Sequence, residues 1–527
     1  MGVGYIMSHY CQISFLVFAV LFSGLVRVLI IRHSNWFRQG LVADASIHYK
    51  IVELFRGNKR PNLRINNYLI PSEMYYPVAY HWFASIFSKD LVDKYPYIPN
   101  LLIYFFMIFV LIGYSFHLFL QITGHALIPT ASVLVLYTSS VQNLWVTESP
   151  AINYITLSER LLGKFSTSMF YFGLFGFMAM NDTVGAALAI AGSTMSVLSS
   201  KFSIQSVVFG SLVASIVFLN ASPLSFLAIG LFLGIAVSGG YAFKTVTNTF
   251  RYLVIYYKYN LKSGYLKPAL NTYMSVRRFI GCLYYHDFKC AIKEVTRREP
   301  GRALLFYPEI WIILILGGLV YSENGDSALN TGVMIVAVIV FLYLVTSIKH
   351  LIFVGESYRY IEYCLDFLAP FLMVYIFQLS GIPLFYILLI VIYSMFIAFL
   401  FHQVKKHWYR NGPPAADDLA AFLKAAKVTS DDVIFPVTMR LGVDIVARAD
   451  CKSFQDQPGG IVDASIYKEY ICEYPYLSTN WRKLCERHGV TKIIVDNEAL
   501  SRFHGNYDFS ELEIIAKNNR FTAYQYR

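Results

Sequence analysis

The chain has 527 residues, 56% of them hydrophobic and only 15% charged, with a formal net charge of +11 at pH 7. That is too apolar for a soluble globular protein of this length. The seven cysteines contain no C-x-x-C spacing, so neither a zinc site nor a redox pair is expected.

Apolar runs of bilayer-crossing length, about 17 to 25 residues, recur along most of the sequence. They fall at 11–31, 98–120, 126–146, 167–181, 184–199, 203–220, 222–240, 304–321, 328–347, 364–380 and 382–402. The expected fold is therefore a polytopic α-helical membrane protein of about eleven transmembrane helices, residues 1–402, with a soluble α/β domain over 403–527. The first run reads as a span and not a cleaved leader, because it lacks a basic start and a small-residue cleavage site. Many of the 40 Tyr and 42 Phe sit at span ends, where amphipathic rings favour the interface.

Two large loops interrupt the spans. In 32–98, Ile47, Ile51, Leu54 and Phe55 recur at helical spacing, which places Asp44 and His48 together on a neighbouring face. After Pro71, the run Tyr75–Phe83 restarts a helix that is aromatic nearly all round, an interfacial pattern. Loop 241–303 carries twelve Lys and Arg interleaved with Tyr and Phe. It reads either as a basic segment lying on anionic lipid or as a grip for a phosphorylated lipid.

The sequence Asn411-Gly412-Pro413-Pro414 marks a hinge. Beyond it, helices are expected at Asp417–Ala426, Asn480–His488 and Glu511–Lys517, and strands at Asp432–Phe435, Lys492–Asp496 and Phe521–Tyr526. Such alternation favours a parallel or mixed sheet.

Both loops and the tail fall on one side of the eleven spans, while the other side is trimmed to turns without Lys or Arg. One working face suits an interfacial enzyme better than a transporter. The positive-inside rule would make that face cytoplasmic, but the rule weakens for loops near 60 residues. Charge alone leaves the orientation open.

Asp44 is the leading catalytic candidate, a carboxylate able to take a proton from a hydroxyl. The same residue also reads as the N-cap of the helix beginning at Ala45. His48 either orients Asp44, touches a phosphate, or is a plain interfacial histidine. His81 divides between packing and lining the site. Glu148 and Glu159 read as metal or acceptor ligands, with a surface Glu159–Arg160 pair as the alternative. Lys201, alone between two short spans, suggests an anion partner or a snorkelling cation. In the stretch Gly355-Glu356-Ser357-Tyr358-Arg359-Tyr360-Ile361-Glu362-Tyr363, Arg359 can pair with a phosphate or with Glu356 or Glu362.

Taken together, these segments resemble the GT-C superfamily of membrane glycosyltransferases, in particular its bacterial, mannosyltransferase-like members. The likeness rests on Ala43-Asp44-Ala45-Ser46-Ile47-His48, the Tyr76–Trp82 stretch, Ser200-Lys201-Phe202-Ser203, Gly355–Tyr363 and the α/β tail. It covers nearly the whole chain through the order and spacing of motifs, no one of which is specific alone. The resemblance implies an inverting transferase of the plasma membrane, moving a sugar from a polyprenyl-phosphate donor to a glycan, lipid or protein acceptor. It implies that Asp44 is the base and that Arg359, and more weakly Lys201, hold the donor phosphate. His48, His81, Glu356, Tyr360, Glu148 and Arg160 complete the expected substrate contacts. The large loops and the tail are expected outside, in contact with membrane lipids, and no nucleic acid is expected as a partner. The second acidic motif of many relatives has no paired equivalent here, which leaves a divalent metal open and no other cofactor expected. The alternatives are a polymerase or ligase of lipid-linked glycans, or a non-enzymatic lipid or glycan transporter.

Overall fold

The structure, a computed structural model, describes residues 44–57, 64–72, 75–140, 157–255, 272–297, 307–348, 357–383, 385–409, 416–455, 464–473, 476–501 and 507–526, with a few single positions besides. Most of the first predicted span and the Asn411–Pro414 hinge lie outside these residues.

Helices dominate as far as Tyr409. Among the described residues, two are long and apolar enough to cross a membrane, Ile98–Thr123 and Ser327–Thr346. A third crossing is available if Ser357–Cys364 and Leu368–Leu379, bent by 61° at their junction, form one broken span. Several other apolar helices are shorter, among them Leu127–Ser139, Thr183–Ser199, Lys201–Val217 and Ser222–Val237. At 1.5 Å per residue such helices cover about 20 to 26 Å, less than the hydrocarbon core of about 30 Å. The expected runs that fall within the described residues thus correspond to helices of very unequal length.

Turn chemistry sets the boundaries. Asp182 caps Thr183–Ser199 through the amides of Val184 and Gly185, and Ser200 caps Lys201–Val217 through the amide of Phe202. One hydrophobic core joins these helices, with Tyr104, Tyr137, Phe170, Phe172, Phe371 and Tyr375 fully or almost fully buried.

The C-terminal region forms a five-stranded sheet of order β2-β1-β5-β7-β6: β1 Val433–Pro436, β2 Lys452–Ser453, β5 Lys492–Asp496, β6 Ile514–Lys517 and β7 Phe521–Gln525. The first three strands are parallel, with Val433 opposite Lys452 and Ile434 opposite Lys492, while β7 runs antiparallel to β5 and β6. Strands β3 Ile471–Glu473 and β4 Tyr476–Leu477 pair separately. The helix expected at Glu511–Lys517 is instead strand β6. Two adjacent isoleucines favour the pleated surface, and Asn518 turns the chain by accepting from the amides of Arg520 and Phe521, so a hairpin forms.

Candidate functional site

Helix Asp44–Gly57 is held on two nearly opposite faces. On one, His48 is buried; its Nε2 lies 2.8 Å from Glu159 Oε2 and its Nδ1 lies 2.8 Å from His81 Nε2. His81 Nδ1 in turn lies 3.2 Å from the carbonyl of Pro77, and Tyr76 donates its hydroxyl to Glu159 Oε1 at 2.6 Å. A carbonyl only accepts, so His81 donates from Nδ1, and with that ring neutral its Nε2 accepts. His48 then donates from Nδ1 to His81 and from Nε2 to the carboxylate. The bonds by themselves allow the shared proton on either ring; this assignment takes His81 as the neutral one.

The electrostatics agree with that assignment. Burial pushes the His81 imidazole down to about 3, the His48 charge pushes it the same way, and Glu159 only partly opposes them. Burial works to raise the Glu159 carboxyl. The charge and hydrogen bond of His48, with the Tyr76 hydroxyl, outweigh it and hold the group well below the usual carboxylate range. Glu159 is therefore a buried, ionised anchor. The expected surface pair with Arg160 is not what forms, because the first loop folds over Glu159 and removes it from water.

Cations gather beside this anchor. Lys201 Nζ stands 5.0 Å from the ring centre of Tyr76 and 4.6 Å from that of Tyr252. The Arg359 guanidinium lies 5.2 Å from the ring centre of Phe202, the residue next to Lys201, and Arg359 Nε donates to Tyr358 Oη at 3.4 Å. Arg160 and Arg359 both act electrostatically on Tyr363, as does Glu159. The rings of Tyr360 and Tyr363 pack edge-on against Phe202 at 5.6 and 5.2 Å. This close approach needs Gly163, where an added Cβ would stand 2.6 Å from Ser200 Cβ and 3.3 Å from Tyr363 Cε1. Helix Tyr241–Ile255 closes one side, with Asn248 donating to the Tyr75 carbonyl at 3.1 Å and Lys244 over the Tyr75 ring.

The other face of the His48 helix meets the C-terminal region. Ser46 donates to Asp444 Oδ1 at 3.2 Å, and Lys50 pairs with Asp450 at 2.5 Å and with Glu53 at 3.2 Å. On the flank nearer His48, Ile51 and Phe55 join Tyr68 and Val446 in one hydrophobic cluster, and Phe55 stacks on His81. Residues 67–70 continue the sheet beyond β2: Ser453 donates to the Asn67 carbonyl, Leu69 donates back to Ser453, and Ile70 donates to Gln455.

The structure thus brings together His48, His81, Arg160, Lys201, Arg359 and Tyr360. Asp44 is the first residue of its helix, one turn before His48, and its side chain lies outside the described residues, as do Glu148 and Glu356. Sequence reasoning did not single out Tyr76 as a ligand of Glu159, nor the buried Lys164–Asp366 pair; Glu362 beside it entered only as a partner of Arg359. Lys164 Nζ lies 2.8 Å from Asp366 Oδ1, and Glu362 feels Lys164, Arg359, Arg160 and Asp366. Glu362 and Asp366, four apart with Lys164 facing them from another helix, carried a signal: ionisable residues inside apolar sequence. Among the described residues no group of three His, Cys, Asp or Glu could hold a metal ion. Cys282 and Cys290, eight residues apart, form a disulfide that no spacing motif had signalled.

No protein-family model and no curated protein sequence matches this chain. Among solved structures it is similar to an oligosaccharyltransferase of Archaeoglobus fulgidus, crystallised tethered to an acceptor peptide containing the NVT sequon through a disulfide bond. The identity is 10% and the TM-score 0.47, over 92% of this chain and 69% of that one.

Proposed function

We propose that the chain is an inverting membrane glycosyltransferase that moves a sugar from a polyprenyl-phosphate donor to an acceptor hydroxyl. One observation carries the reading. Lys201 and Arg359, from helices far apart in sequence, gather on aromatic rings beside the buried anchor that holds the Asp44 helix. In the proposed reaction Asp44 takes the proton of the acceptor hydroxyl as its oxygen bonds to the anomeric carbon. The bond from that carbon to the donor phosphate breaks on the opposite face, which inverts the centre. The departing phosphate is a good anionic leaving group, so fixed cations suffice and no strong acid is required. Tyr360 and Arg160 complete the donor side. Glycoside hydrolysis would instead call for two carboxylates flanking the scissile bond.

Asp44→Asn tests the reading, with transfer from a radiolabelled polyprenyl-phosphate hexose followed in native membranes. Transfer is expected to fall at least about a hundredfold while the protein still inserts. Near-normal transfer by the variant would remove Asp44 from the chemistry.

The same proposal has the working face outside the cytoplasm. The Cys282–Cys290 disulfide supports this, because such bonds persist in oxidising compartments. Cys472 is exposed and its thiol is not in a disulfide, so a membrane-impermeant maleimide is expected to reach it in intact cells. Protection of Cys472 until the cells are lysed would reverse the orientation.

A further inference from the structure

Loop 241–303 contains a helical hairpin that the proposed chemistry does not use. Helices Thr272–Tyr284 and Phe288–Arg297 pack against each other, with Cys282 and Ala291 buried in the seam and the Cys282–Cys290 bond closing it. Its tip points large side chains away from that seam: Ile280 is 59% exposed, Tyr284 77%, Tyr285 79% and Phe288 64%. Arg277, Arg278, His286 and Lys289 are exposed beside them. Over 272–297 there are five Lys and Arg against two acidic residues.

We infer that this hairpin is a membrane-surface anchor whose tip enters the interface of an anionic bilayer. Three features choose lipid as the occupant. Tyrosine rings have an apolar body and a polar end, which suits the headgroup level. The basic side chains lie next to the apolar tip, so their stems can follow it inward while their charges meet lipid phosphates. A protein-docking patch would instead deplete charge at its centre. The hairpin is also flanked in sequence by helices Ser222–Val237 and Pro308–Asn324, both apolar, which keep it within reach of a bilayer. The disulfide fixes the two helices as one unit, so the tip residues enter together.

The test uses the full chain reconstituted in vesicles of phosphatidylcholine, with and without phosphatidylglycerol, and with brominated acyl chains as quenchers. Tyr285→Trp adds a reporter at the tip, and Ile514→Trp adds one on the exposed strand β6. The emission added at 285 is expected to be blue-shifted and quenched by the brominated lipid, more so with phosphatidylglycerol, and that at 514 to be neither. Reversing Arg277, Arg278 and Lys289 to Glu is expected to weaken the quenching, by about fivefold in the in–out equilibrium per charge removed. Solvent-like emission at 285 overturns the inference. Blue-shifted emission without quenching overturns it in favour of a protein occupant. Quenching indifferent to both phosphatidylglycerol and charge reversal overturns the anionic-lipid assignment. No outcome depends on the transferase chemistry, so this inference and the proposed function stand or fall separately.

Discussion

With His81 kept neutral by burial, His48 donates from both ring nitrogens, and that arrangement organises the surrounding charges. Its partners are an acceptor-only carboxylate and a neutral histidine, so protonating His81 would set two imidazolium rings against each other in a buried space. The consequence is a definite pH dependence. His81 is depressed from its ordinary 6.5 to about 3, so in that window the unfolded chain binds a proton that the folded chain refuses. Stability from this group is complete above pH 6.5 and is lost as pH falls, by up to roughly 1.4 kcal/mol per pH unit. Glu159 acts in the same direction below its ordinary 4.5, because its folded form stays ionised. Thermal unfolding in detergent should therefore weaken steadily from pH 6.5 to 4.5, and His81→Asn should flatten that slope while lowering stability at neutral pH. An unchanged slope in the variant would place the titrating group elsewhere. The helical spacing of Asp44 and His48 was legible in the sequence. The partners of His48 were not, because Glu159 lies 111 residues further on and no local pattern relates the two.

At the scale of elements, the bend between Ser357–Cys364 and Leu368–Leu379 is fastened by charge. Asp366 lies in the break between the two helices and pairs with Lys164 from helix Arg160–Met180, both side chains being out of contact with solvent. Arg359 stands on the first arm of the bend, so this pair helps to fix where the cation points. Removing one partner leaves the other charge buried, at a cost of about 3–5 kcal/mol, whereas replacing both with apolar groups costs much less. Asp366→Ala alone should thus destabilise the protein severely, and Lys164→Met with Asp366→Leu should recover most of the loss in denaturant unfolding. A tolerated single substitution would mean that the pair does not hold the bend. Helix positions here followed from the apolar runs. The strand at Ile514–Lys517 did not, because four residues are too few to show a period, and the turn at Asn518 that folds them against β7 is what makes them a strand.

For the whole molecule, the C-terminal region is a brace for the first loop. The sheet accepts residues 67–70 at its β2 edge, and Val446 meets Ile51, Phe55, Ile65 and Tyr68 beneath the helix that carries His48. That helix is gripped between Glu159 on one face and Asp444 and Asp450 on the other. Val446→Asp places an unpaired charge in this contact, for a local loss of about 3 kcal/mol or more. Amides of residues 45–57 should then exchange roughly a hundredfold faster, with those of helix Ser327–Thr346 unchanged. Equal protection in variant and parent would mean that the His48 helix stands without the brace.

By itself the sequence determined which segments are apolar, which carry basic charge, and where strands β1, β5 and β7 begin and end to within a residue or two. Those properties are local, fixed by side-chain chemistry and by periods of two or 3.6 residues. It also singled out Asp44, His48, His81, Lys201 and Arg359, since ionisable groups amid apolar sequence stand out one at a time. Only the tertiary structure decided that four of these, His48, His81, Lys201 and Arg359, gather around Glu159, Tyr76 and Phe202, and that a sheet built some 400 residues later holds the first loop in place. Hydrogen bonds and ion pairs act over about 3 Å in space and are indifferent to separation along the chain, so the site is a property of the packing.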